Sequence, residues 1–161
     1  MSKKKSLNKN KKYIKYIYKE KTKMDTYSKY LKIVENELGH NTTTTDAELN
    51  RYCNAVFGNK FKGVYPKDKI PKLQNNESCI FNLDTSEMPG SHWIGLYKNG
   101  KKNIVYDSFG RTSKELNIPL KKYIDTEQDA EQEIEEKNCG QRVTSFIACC
   151  YTLPIKKVLT I

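Results

Sequence analysis

Two runs rich in strand-forming residues, HWIGLYK (92–98) and NIVYDSF (103–109), flank a turn built on the Asn99-Gly100 step. Val, Ile, Tyr, Trp and Phe suit a pleated, half-buried surface, and Asn-Gly supplies the positive φ that a tight hairpin turn needs. A third short run, SCIFNLD (78–84), precedes them across the turn TSEMPGS. The three pair most simply as a small antiparallel sheet.

Helical periodicity brackets these strands. Tyr27, Tyr30, Leu31, Val34 and Leu38 recur at helical spacing, and Gly39 stops the run. Thr44 or Thr45 can cap a second helix, with Asp46 and Glu48 in its first turn and Leu49, Cys53 and Val56 as its apolar stripe, up to Gly58. Cys139 opens a third helix that runs through VTSFIACC to about Leu153 and is ended by Pro154. Residues 59–76, broken by Gly63, Pro66 and Pro71, read as an extended loop, and 111–123 as an irregular segment. The expected class is α+β, with helices packed on a small, mostly antiparallel sheet. A chain of 161 residues suits one such core.

Charge divides the chain in two. Residues 1–32 hold 12 lysines against Glu20 and Asp25, which accounts for the whole net charge of +10; the rest carries 17 basic and 17 acidic residues. Residues 1–25 read as a basic tail and 26–161 as the folded domain. Lysines interleaved with Tyr13, Tyr16 and Tyr18 suit weak, sequence-independent nucleic-acid binding, and equally a solvated tail that only aids solubility. No run approaches the ~20 apolar residues of a membrane span, and no apolar segment follows the basic N-terminus, so neither a membrane partner nor secretion is expected. The five cysteines form no regular framework and include no Cys-x-x-Cys pair. Disulfides and zinc are therefore not expected, a reducing compartment is, and Cys53, Cys79, Cys149 and Cys150 read as small buried side chains.

Cys139 is different. It stands in EKNCGQ, where a helix begins, and a helix N-terminus lowers a thiol pKa and points backbone N–H groups outward. Upstream lie His92 in GSHWIGLY and Asp107 in IVYDSFG, and three glutamines, Gln128, Gln132 and Gln141, stand near the cysteine with nothing in their spacing to choose among them. A thiolate needs a base, a base needs an orienting carboxylate, and an amide can donate to an oxyanion. A hairpin sets the start of one strand beside the end of the next, so His92 and Asp107 can meet; Asp84 competes for the orienting role. Gly140 reads as room for a substrate backbone, and His40 receives no catalytic role.

The stretches FKGVYPKDKIP, IFNLDTSEMPGSHWIGLY, IVYDSFG and QEIEEKNCGQ resemble the adenovirus-type cysteine endopeptidases, adenain and its relatives in virophages, giant viruses and large DNA transposons. The wider clan includes the ubiquitin-like-protein-specific proteases. The likeness rests on the order His, Asp, Gln, Cys and covers roughly residues 45–153. It implies a papain-like two-part arrangement, with Cys139 as nucleophile, His92 as general base, Asp107 as orienting acid where adenain has Glu, and Gln132 as oxyanion donor; Trp93 resembles the aromatic that follows the family's His. It further implies a monomer that cleaves viral capsid and core precursors near Gly in the virion or virus factory, or else a modifier-specific isopeptidase. DNA or a viral peptide assists adenain; nothing in this sequence requires a cofactor. A nucleic-acid-binding virion protein that keeps a protease fold is the reading outside enzymes.

Overall fold

The structure, a computed structural model, describes residues 26–161. The basic tail, and the nucleic-acid expectation attached to it, lie outside the described residues. Helix α1 covers 26–38, α2 Asp46–Phe57, α3 Cys139–Thr152 and α4 Ile155–Val158; the strands are β1 Phe61–Pro66, β2 Ser78–Asn82, β3 Trp93–Asn99, β4 Lys102–Tyr106 and β5 Tyr123–Asp125. The strands form one sheet in the order β1-β2-β3-β4-β5.

The class is α+β, but the sheet is mixed rather than mostly antiparallel. The central pairs β2–β3 and β3–β4 are antiparallel, and both edge strands join in parallel. The hairpin forms as expected, with Gly100 at φ 55 in its turn. β1 falls in the segment read as a loop, and β5 begins at the end of the segment read as irregular. β1 carries the Gly63 and Pro66 that argued against a strand; an edge strand tolerates them because its outer groups need no ladder partner. A register shift between Phe61 and Val64 accommodates Gly63 at φ 113. β5 has three residues and pairs only with β4. Residues 111–122 stay irregular, as expected.

Alternation along β2 to β4 divides the apolar side chains between two cores. Ile80, Ile104 and Tyr106 pack with Leu49, Cys53, Val143, Phe146 and Ile147 on the helical side. Cys79, Phe81, Ile94, Leu96 and Val105 pack on the other side under Leu73 and Ile118, which come from the irregular segments. The central helix α3 is buried along most of its length and lies against β3. The approach is close enough that a Cβ on Gly95 would stand 2.8 Å from Phe146 Cδ1. That packing delivers the first residue of α3 to the end of the sheet where β3 starts and β4 stops.

Candidate active site

Local structure holds each side chain. Gly95 pairs with Tyr106 across the hairpin. Continuing that register past the last paired residues sets His92 opposite Phe109 and on the diagonal from Asp107, a separation that long side chains span. The contacts agree: the rings of His92 and Phe109 lie 4.8 Å apart at 30°, and His92 Nε2 meets Asp107 Oδ1 at 2.7 Å. Asp107 is therefore the carboxylate that pairs with the His92 ring. Asp84 lines the same cleft without pairing with His92.

With Nε2 engaged by Asp107, Nδ1 is the ring nitrogen left for the sulfur, and His92 and Cys139 lie close enough that each shifts the other's pKa. Cys139 is the first residue of α3, after the N-cap Asn138. Burial by itself would raise its thiol pKa. The hydrogen bond and charge of His92, with N–H groups of Trp93 and Gly140 donating to sulfur, outweigh burial and hold the pKa below the ordinary thiol value. Burial likewise works against the imidazolium, but Asp107 and Cys139 prevail and the His92 pKa is raised. Burial would also raise the Asp107 carboxyl, yet His92 and Arg111 bring it down to about 2. These opposed shifts favour a thiolate–imidazolium pair backed by a carboxylate.

The remaining cysteines set the contrast. Cys53, Cys79, Cys149 and Cys150 are buried and free, and burial pushes all four thiols up, Cys53 and Cys149 to about 12. Cys139 alone among them is partly exposed, on the wall of an open cleft of about 510 Å³. The 43–46 and 88–91 segments and Val64–Pro66 of β1 line this cleft.

Gln132 does not line that cleft and is tied to Ser108, the residue after Asp107. It is buried, its amide oxygen accepts from Ser108 Oγ at 2.6 Å, and its amide nitrogen donates to the Glu136 carbonyl at 2.6 Å. The N–H groups of Glu131 and Gln132 both donate to the Ser108 carbonyl, so the segment hangs on the residue after Asp107. One amide proton stays uncommitted. Asn138, just before Cys139, is fixed by Glu35 of α1 and by Arg142 of α3. Trp93 donates its indole N–H to the Thr44 carbonyl at 3.1 Å and so ties β3 to the α2 cap.

Gly140 departs from expectation. A Cβ there would overlap Thr44 Oγ1 before meeting any substrate, so the missing side chain makes room for the α2 cap loop. His40 sits away from the cleft, paired with Glu35 at 2.9 Å. Sequence reasoning missed Phe109 and Arg111, which touch His92 and Asp107 respectively. The signal available for Arg111 was a cation four residues after an acid, across a Gly turn. Among the described residues, no group of three or more His, Cys, Asp or Glu side chains is placed to hold a metal ion.

No protein-family model matches the chain, and no curated protein matches it either.

Proposed function

We propose that the chain is a cysteine endopeptidase of the papain-like, adenain-like type that processes viral capsid and core precursors, with cleavage near Gly. One observation carries the reading: His92 bridges Cys139 and Asp107 at the wall of a cleft, with the sulfur at a helix N-terminus.

The Cys139 thiolate attacks a peptide carbonyl, forming a C–S bond and placing the negative charge on the former carbonyl oxygen. The first N–H groups of a helix lack intrahelical partners, so the Cys139 N–H is placed to receive that oxyanion, and the spare Gln132 amide proton is the second donor. Collapse breaks the C–N bond as the His92 imidazolium gives its proton to the departing amine. Water then attacks the thioester, His92 takes a proton from it, and the acid product leaves with the thiolate restored. Asp107 holds the ring throughout and stabilises its charged form.

The test compares wild type with Cys139→Ala on the precursor polypeptides encoded beside this chain and on Gly-Gly fusions of a ubiquitin-like modifier. Cleavage of the precursors by wild type and its loss in the variant, with an unchanged circular dichroism spectrum, is expected. Activity that survives in Cys139→Ala overturns the assignment, and turnover of the fusions alone replaces maturation with isopeptidase chemistry.

A further inference from the structure

The Asp107 carboxylate is crowded with donors. Oδ1 accepts from His92 Nε2 at 2.7 Å and the Phe109 N–H at 3.2 Å. Oδ2 accepts from Arg111 Nε at 2.7 Å and the Arg111 N–H at 3.3 Å, while Arg111 Nη2 reaches Oδ1 at 3.4 Å. The Asp107 side chain is 1% exposed and that of Arg111 is 40% exposed, so the guanidinium closes the outer side of a buried acid. Arg111 Cζ also lies 5.1 Å from the centroid of Phe109, the ring that packs on His92. Arg111 thus bears on His92 twice, through a shared carboxylate and through the ring between them.

We propose that Arg111 is a positioning residue for the Cys139–His92 pair, limiting how tightly Asp107 holds the imidazolium and so keeping its proton available to the leaving amine. This rests on the thiol-protease reading above. Four groups alternate in charge in sequence: thiolate, imidazolium, carboxylate, guanidinium. A carboxylate facing one cation stabilises it fully; one shared between two stabilises each less, because the cations repel. An imidazolium held too tightly is a poor acid. The planar guanidinium fork also fixes the tilt of the carboxylate, which a lysine ammonium does less well. Among the described residues Arg111 is the only cation besides His92 in contact with Asp107. The other charged or titratable groups near the ring are Cys139 on its opposite side, Asp84 on the cleft wall, and Glu115, which faces Arg111 and Asp107 while bonded to Thr112.

The chain has only two histidines, so ring-labelled full-length protein with His40→Gln yields a single imidazole signal to titrate by NMR. In that background Arg111→Gln is expected to raise the His92 titration midpoint by about one pH unit, with kcat lowered and KM little changed. Arg111→Lys, which keeps the charge, is expected to stay within a few tenths of a unit of the parent. A purely structural arginine would lower the melting temperature and leave the midpoint in place. An unmoved or lowered midpoint in Arg111→Gln overturns the proposal. Should that variant not fold, a shift of a full unit in Arg111→Lys overturns it instead. The titration needs no substrate: cleavage without a shift removes the Arg111 role alone, whereas absence of cleavage removes the protease reading whatever the titration shows.

Discussion

At the residue scale, the candidate site depends on one imidazole with both nitrogens committed. His92 donates through Nε2 to Asp107 and faces the Cys139 sulfur with the other nitrogen. Replacing His92 removes the proton carrier itself, whereas replacing Asp107 removes its orientation and part of its charge stabilisation. His92→Ala is therefore expected to abolish cleavage, and Asp107→Ala to leave a residual rate about 10⁴-fold below wild type, both read as kcat on one peptide substrate. Equal losses would mean that Asp107 does more than orient. Gln132→Ala is expected to cost about 10²–10³ in kcat at nearly constant KM, the pattern of a donor used only in the transition state; a pure KM effect would remove it from the oxyanion site. Cys139 and His92 could be singled out in sequence because thiol chemistry would need those side chains in any fold. Asp107 was legible because hairpin register is a local rule. Arg111 and Phe109 were not, since their roles come from a turn that folds them back over the dyad, and sequence spacing does not show which way a turn faces.

At the scale of elements, the packing of α3 on β3 sets the distance between Cys139 and His92. The helix lies close on the strand because Gly95 lacks a side chain where Phe146 packs. Phe146 is fully buried and stacks on Tyr106 with ring centroids 4.7 Å apart, so it has nowhere to retreat. Gly95→Ala is expected to destabilise the fold by about 1–3 kcal/mol through overpacking, measured by urea denaturation. It should also reduce alkylation of Cys139 at neutral pH by displacing α3 from His92; full reactivity in a destabilised variant would show that the helix start is held independently, by Asn138 and the Thr45 cap loop. Helices α1 to α3 and the hairpin were predicted from sequence to within a residue or two, because periodicity, the Thr45–Glu48 capping box and glycine stops act locally. Strand β1 was missed because an edge strand accepts Gly and Pro, and its strand character comes from pairing with β2 rather than from its own residues.

Across the whole molecule, two buried carboxyl groups pull stability in opposite directions with pH. Burial, reinforced by the charge of Asp129, pushes Glu131 from an ordinary 4.5 up to about 7, while its Oε2 accepts from Tyr106 at 3.1 Å. The folded state then binds the extra proton, so this contribution is full below about pH 4.5 and is lost as pH rises through 7. Asp107 behaves inversely: its pKa is depressed to about 2, so its contribution is present above about pH 4 and lost as pH falls toward 2. The melting temperature is expected to peak between about pH 4 and 5, and Glu131→Gln to remove the decline between about pH 4.5 and 7, an effect on the order of 2–3 kcal/mol. A Glu131→Gln protein that declines as wild type does would assign that limb to another group. The sequence by itself determined the local elements and singled out Cys139 among five cysteines, since periodicity, capping and a helix start are properties of neighbouring residues. Tertiary structure alone decided the parallel edge strands and the places of Phe109 and Arg111. Each of these depends on which distant surfaces meet when the two cores close, and that is a contest between long-range burial and chain entropy that no local pattern records.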